Sequence, residues 1–359
     1  MDTTPAPEPE TRIERRGRAG WVTLNRPRAL NALTLNMVRE IAAALDEFER
    51  DAACEFVVVA GASERAFCAG GDIRKLHDEG RAGDHAAQRA FWREEYILNV
   101  RIKRFPKPFV ALIDGIVMGG GVGLGMHGSY RVIGDRAVFA MPEVGIGFFP
   151  DVGASFLLPR LPRRMGVFLA LTGLSAKAGD IVTLGLGTSF TTSADMPGLA
   201  EALANDSAPL GEILRRFASA PPPSALLAEA DWIELAFASF NAAAIRAEVE
   251  RAAASGSALA ADALAALSKK SPTSQAIALR QMEIGAGLEF EAAMTMEFRI
   301  VSRICLGHDF YEGVRAVIID KDNAPRWRPA PGESLDARQI DAYFAPLGKD
   351  EDLHFGAGR

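Results

Sequence analysis

From Val117 to Val152 the chain reads VMGGGVGLGMHGSYRVIGDRAVFAMPEVGIGFFPDV. A run of three glycines, Gly119 to Gly121, lies in apolar sequence. Two acids follow, Glu143 in Met-Pro-Glu and Asp151 in Phe-Pro-Asp. Glycine carries no Cβ, so its backbone N–H can come close to a ligand. Acids in apolar sequence are costly unless pairing or function requires them. Backbone donors for a developing oxyanion, beside two carboxylates, point to acyl chemistry. Each acid also has a plainer reading. Glu143 could cap a turn, and Asp151 could cap a helix starting near Val152. Pro142 and Pro150 fix the backbone just before both acids. With the glycine run upstream, they favour the functional reading for the pair.

Other motifs are weaker. Gly123-Leu-Gly125-Met-His-Gly128 has the form G-x-G-x-x-G. A dinucleotide fingerprint should open a helix directly after a strand, and here the triple glycine already occupies that place. Gly123, Gly125 and Gly128 therefore read as small residues that let a helix pack closely. His127 reads as a core histidine satisfied locally, and His77 and His85 as solvated residues on a polar helix. No His, Cys, Asp or Glu spacing suggests a metal site, and no G-x-S-x-G elbow anchors a serine triad. Three widely spaced cysteines, Cys54, Cys68 and Cys305, suit neither a disulfide framework nor a four-ligand zinc site.

The elements that must position this chemistry alternate. Trp21–Leu24 reads as strand, residues 33–49 as an amphipathic helix, and valine-rich Phe56–Ala60 as a buried strand. A Cys-Ala-Gly-Gly-Asp loop, residues 68–72, comes next. Then follow a polar helix carrying Trp92, Glu94, Glu95 and Tyr96, and the strand Phe109–Ile113. Such alternation implies an α/β fold with a mostly parallel sheet. Residues 193–262 are alanine-rich and helical in period, with a break at Pro221-Pro222-Pro223. A chain of 359 residues at 48% hydrophobic and 24% charged is ordinary for a globular enzyme. A formal charge of −6 disfavours nucleic acid or an anionic membrane as the main partner. No apolar run reaches about 18 residues, the length that spans a bilayer. The acidic, Pro-rich start lacks a secretory core. A soluble, cytoplasmic protein is expected.

Longer segments carry a resemblance. They are LNRPRALNAL at 24–33, RAFCAGGDI at 65–73, REEY at 93–96 and MGGGVGLGMHG at 118–128. FAMPEVGIGFFPDVG at 139–153, LALTG at 169–173, SPTS at 271–274 and DFYEGVRAVIIDKDNAPRW at 309–327 complete the set. The chain resembles the crotonase (enoyl-CoA hydratase/isomerase) superfamily, and within it is most similar to the 3-hydroxyisobutyryl-CoA hydrolases. The resemblance implies a ββα spiral core with a helical C-terminal portion. Residues 1–11 would form a disordered tail and residues 12–190 the CoA-thioester core. Residues 191–359 would form a mainly helical portion that completes the site.

By residue-wise match the resemblance places the two carbonyl-polarising N–H donors at Gly71 and Gly120. CoA contacts would come from Arg26, Arg28, Ala29, Ala69, Asp72 and Lys321, and Glu95 would orient the substrate. Hydratases of the superfamily carry a glutamate three residues after the second donor glycine and another at the position of Glu143. The first of those slots is Gly123 here, so a two-glutamate hydration lacks one partner. The reaction implied is hydrolysis of 3-hydroxyisobutyryl-CoA to 3-hydroxyisobutyrate and CoA, a step of valine breakdown. In it Glu143 acts as nucleophile, Asp151 as hydroxyl or proton partner, and no metal or redox cofactor takes part. Enoyl-CoA hydration or isomerisation, or CoA binding without catalysis, are the alternatives. The acyl-CoA thioester is the expected partner, and a homo-oligomer stays open.

Overall fold

The computed structural model describes residues 8–333, 335–348 and 351–355. Strands β1 (Thr11–Arg16) and β2 (Ala19–Leu24) form an antiparallel hairpin. Helix α1 (Leu35–Arg50) follows, its first turn capped by the Thr34 hydroxyl, which accepts from the Met37 N–H at 3.2 Å. The chain then repeats one path. It lays a strand in a six-stranded sheet, a short strand in a four-stranded sheet, and turns toward helix. The first pass is β3 (Phe56–Gly61) and β4 (Ala66–Cys68), then α2 (Ile73–Arg81) and α3 (His85–Lys103). The second is β5 (Phe109–Ile113), β6 (Ile116–Met118) and α4 (Gly120–Gly125). The third is β7 (Tyr130–Ile133) and β8 (Val138–Ala140), ending in the 3-10 turn Glu143–Ile146.

Within the large sheet β2, β3, β5 and β7 run parallel, as do β4, β6 and β8 in the small one. This is the ββα repeat that the resemblance implied. Parallel strands covered on both faces need continuous apolar sequence, which FVVVAG and FVALI supply. The ends of parallel strands in each pass are also where the glycine loops and acids emerge.

The rest of the chain is mostly helical. It comprises α5 (Ala154–Leu157), α6 (Met165–Thr172), β9 (Ala176–Lys177), α7 (Ala178–Thr183) and β10 (Ser189–Phe190). Then come α8 (Met196–Asn205), α9 (Leu210–Arg216), α10 (Ala225–Ala228), α11 (Ala230–Ala236), α12 (Ala242–Ala254) and α13 (Ala258–Lys269). Helices α14 (Pro272–Gly285), α15 (Phe290–Ile304) and α16 (His308–Val314) follow. A π turn at Arg315–Ile319 and α17 (Ala337–Phe344) close the described chain. The triple proline falls between α9 and α10, as its backbone chemistry requires.

Alternation along the large sheet divides its side chains. Trp21, Phe56, Val58, Val110 and Leu112 pack under Leu199, Leu203, Ile213 and Leu214 of α8 and α9. Val57, Val59, Ala111 and Ile113 face the main core with α1.

Two expectations are corrected. Residues 1–7 of the expected tail lie outside the described residues, but residues 8–11 are ordered by contacts. The Asn25 amide donates to Pro9 O at 2.8 Å, Glu10 pairs with Arg26 at 3.0 Å, and Thr11 opens β1. His77 is not on a solvated face. Its ring packs against Tyr311, centroids 5.7 Å apart, because α16 lies against α2 there.

Candidate active site

The CAGGD loop and the glycine run meet at one wall of a cavity of about 600 Å³. That volume suits a small-molecule site. Leu33 makes a parallel bridge to Gly71, donating to Gly70 O at 2.8 Å and accepting from the Asp72 N–H at 2.9 Å. The pleat then turns Gly71's own N–H away from Leu33. Gly120 is the first residue of α4, where an N–H has no partner within the helix. A Cβ built on Gly120 would stand 3.4 Å from Gly71 N, so the two donors are close neighbours. Gly119 has φ 46° and ψ −126°, a conformation that a side chain would oppose, and it makes the sharp exit from β6. The following glycines pack as small residues. A Cβ on Gly121 would overlap Cys68 O, and one on Gly125 would lie 3.1 Å from the Phe67 ring.

Besides the half-buried Asp72, three carboxyl groups line the same cavity: Glu143, Asp151 and Glu95. All are buried, with 7%, 5% and 2% of their surface exposed. Glu143 opens its 3-10 turn, and its Oε1 lies 3.3 Å from where a Cβ on Gly119 would be. Its Oε2 and the Oε1 of Glu95 are buried without a hydrogen-bond partner among the described residues. Orphaned buried carboxyl oxygens in a cavity are what a ligand would satisfy. Asp151 does not cap α5, whose N-cap is Gly153 with no side-chain bond. It accepts instead from the Tyr96 hydroxyl at 2.8 Å. Glu95 and Tyr96 come from α3, Glu143 from the turn after β8, and Asp151 from the turn before α5.

Burial is the largest influence on each acid. It pushes Glu143 and Glu95 well above the usual carboxylate range, and the charge of Asp151 adds to both shifts. Lys270, at the cavity wall, pulls Glu143 back down. Asp151 is pushed up to about 7 by burial, against the hydrogen bond from Tyr96. The Tyr96 phenol is driven well up, first by burial and then by Asp151. The charge of Asp151 therefore disfavours ionisation of both glutamates. Lys270 is lowered by burial while Glu143 opposes that shift.

Of the residues expected at the site, Gly71, Gly120, Glu95, Glu143, Asp151, Ala29, Ala69 and Asp72 all line this cavity. Arg26 does not. Its guanidinium binds Glu10 and Asp72, each at 3.0 Å, and Ala32 O at 2.6 Å. It joins the 26–33 loop to the CAGGD loop. Arg28 and Lys321 are exposed and lie outside the cavity wall. The wall also contains residues that the sequence did not single out: Lys270, Arg74, Phe148, and Val317, Ile318 and Asn323 from the C-terminal portion. Arg74 donates to Ile318 O at 2.9 Å and ties that segment to α2. Lys270 directly precedes the Ser-Pro start of α14, a helix-start signal that carries no hint of the cavity. Trp92 stacks on Phe148, centroids 5.6 Å apart, and behind them Phe310 meets Phe148 at 5.7 Å with its ring tilted. His127 is buried, with Nε2 2.7 Å from Val152 O, and burial holds its pKa down to about 4. Among the described residues no group of three His, Cys, Asp or Glu side chains could hold a metal ion.

The enoyl-CoA hydratase/isomerase family model matches residues 19–344. The mitochondrial 3-hydroxyisobutyryl-CoA hydrolase of Danio rerio is 44% identical over 344 residues, covering 94% of this chain and 90% of that protein. That of Homo sapiens is 40% identical over 354 residues, covering 96% and 91%. Among solved structures, a carnitinyl-CoA dehydratase from Mycobacterium thermoresistibile superposes with a TM-score of 0.91 at 36% identity, over 97% of this chain and 99% of that one. An enoyl-CoA hydratase from Rhodobacter sphaeroides 2.4.1 superposes with a TM-score of 0.89 at 43% identity, over 97% and 100%.

Proposed function

Since this chain belongs to the enoyl-CoA hydratase/isomerase family, we propose that its reaction is hydrolysis of 3-hydroxyisobutyryl-CoA to 3-hydroxyisobutyrate and CoA. The observation that carries the proposal is the cavity itself. The paired N–H groups of Gly71 and Gly120 sit beside a buried carboxylate, Glu143, whose Oε2 has no partner among the described residues. A second acid, Asp151, is set by Tyr96 on the same wall. The hydrolase relatives, at 40% to 44% identity over most of both chains, support the same reading.

The thioester oxygen accepts from Gly71 and Gly120 N–H. Glu143 attacks the carbonyl carbon, and the charge that develops on oxygen is held by both donors. The C–S bond breaks, CoA leaves as a thiol after taking up a proton, and an acyl–Glu143 anhydride remains. Water opens that anhydride at the Glu143 carbonyl carbon, giving the 3-hydroxy acid and the Glu143 carboxyl group, which releases its proton to restore the carboxylate. Asp151 accepts the substrate's 3-hydroxyl, and Tyr96 fixes which carboxylate oxygen faces it. Glu95, one helical turn away from Trp92, closes the polar side of the acyl end. Lys270 favours the ionised form of Glu143 that attack requires.

The two solved neighbours, a carnitinyl-CoA dehydratase and an enoyl-CoA hydratase, raise a second reading, hydration of an enoyl thioester. Gly123 disfavours it. A Cβ there would lie 2.6 Å from Asn99 Nδ2 and 2.8 Å from Oδ1, so the space where hydratases place their first glutamate is filled by Asn99. A free-thiol assay across acyl-CoA thioesters separates the readings. Hydrolysis releases thiol from 3-hydroxyisobutyryl-CoA. Loss of enoyl absorbance without thiol release would replace it with hydration.

A further inference from the structure

The turn that carries Asp151 is held in a conformation that its own residues disfavour. Val152 is β-branched, fully buried, and has φ 53°; Gly153 follows at φ 90°. A β-branched residue at positive φ persists only where its surroundings impose it. Here two C-terminal helices do so. Glu297 of α15 accepts the Gly153 N–H at 2.7 Å on Oε2 and the Ser155 N–H at 2.8 Å on Oε1. Gln281 of α14 donates to Pro150 O and, at 2.7 Å, to Ser155 Oγ. Both side chains have no exposed surface. The only described acceptors of Gln281 Nε2 and the only described donors to Glu297 thus belong to residues 150–155.

We propose that Glu297 and Gln281 are positioning residues, which hold the Pro150–Ser155 turn so that the Asp151 carboxylate meets the acyl group's 3-hydroxyl. A buried carboxylate is a costly way to satisfy two N–H groups. It is, however, the group whose two oxygens accept both at once in a fixed plane. His127 completes the hold at Val152 O, and Tyr96 takes the Asp151 carboxylate from the opposite side. Asp151 therefore has its backbone fixed by α14 and α15 and its side chain fixed by α3. The selectivity of the acyl site is set partly by helices that do not touch the acyl group.

The inference deepens the hydrolase reading and rests on it for its kinetic arm. Glu297→Gln keeps the shape and loses one acceptor; Gln281→Met keeps the volume and loses both donated bonds. Two measurements decide. The first is the ratio of kcat/KM for 3-hydroxyisobutyryl-CoA to that for isobutyryl-CoA, taken well below each variant's melting temperature. A displacement of about 1 Å costs on the order of a hundredfold, so the ratio should fall at least tenfold in Glu297→Gln. A purely structural role would slow both substrates equally. The second is a crystal structure of each variant. Val152 should leave positive φ, and the Tyr96 Oη–Asp151 distance should exceed 3.5 Å. An unchanged turn and an unchanged ratio in both variants would overturn the proposal. If wild-type protein releases no thiol from any thioester, the hydrolase reading fails, while the crystallographic arm still decides the positioning role. If Glu297→Gln does not fold, Gln281→Met decides alone.

Discussion

A single methyl group at Gly120 tests the oxyanion site most directly. An ideal Cβ there would overlap Glu95 Oε1, stand 3.0 Å from Leu33 Cδ1 and lie 3.4 Å from Gly71 N. Leu33 would have to retreat by roughly half an ångström to regain an ordinary carbon–carbon contact of about 3.5–4.0 Å. Leu33 also makes the bridge that orients Gly71, so its retreat disturbs the second donor as well as the first. Losing the aim of one donor costs about 3 kcal/mol of transition-state stabilisation, on the order of a hundredfold in kcat. Overpacking adds about 1–3 kcal/mol of lost stability, which leaves the fold intact in a domain of this size. Gly120→Ala should therefore stay folded by circular dichroism, melt a few degrees lower, and lose about a hundredfold in kcat in the thiol-release assay. Gly211→Ala is the control, since its Cβ meets only Arg215 Nη1 at 3.8 Å. A folded Gly120→Ala enzyme with kcat within threefold of wild type would remove Gly120 from the oxyanion site.

Four further outcomes are expected. Glu143→Gln should lose at least a thousandfold in turnover while binding CoA thioester nearly as tightly by calorimetry. Single-turnover reaction of wild type in ¹⁸O-water should place label in Glu143, and retained activity without label would favour general-base attack by water instead. Lys270→Met removes a charge that lowers the Glu143 pKa, so the acid limb of kcat/KM should move to higher pH; no movement would show that Lys270 does not act on the nucleophile. Asp151→Asn should raise the melting temperature by a few degrees at pH 8 and by less at pH 5. Asp151 is raised to about 7 in the folded protein, so the folded state binds its proton more tightly than the unfolded state, with a pKa near 3.9. Wild-type stability from this group is therefore lost as pH rises from about 4 to about 7 and is flat above that. An equal shift at both pH values would contradict the assigned burial cost.

The local chemistry of the site was legible in the sequence because it is written in short segments. Glycine runs, Pro-flanked acids and valine-rich strands have backbone consequences that a few neighbouring residues decide. The glycine run, Glu143 and Asp151 could therefore be singled out from their own segments, while Gly71, Gly120 and Glu95 were named by family resemblance. Arg26 shows where local sequence stops. Its sequence neighbourhood matches a ligand-binding loop, but only the fold shows that Glu10, Asp72 and Ala32 take up its guanidinium. Lys270, Gln281 and Glu297 had no readable signal at all, since Lys270 lies between α13 and α14, the other two sit on ordinary helices, and all three come more than 110 residues after the acids they serve. What brings them there is packing of α14 and α15 against the core, a sum of many non-local apolar contacts with no local pattern. The chain alone determined which groups could do acyl chemistry and which backbone turns present them. Only the tertiary structure decided which charges face those groups, which arginine was already occupied, and what holds the Asp151 turn in place, because burial and partnership are properties of distance in space and not along the chain.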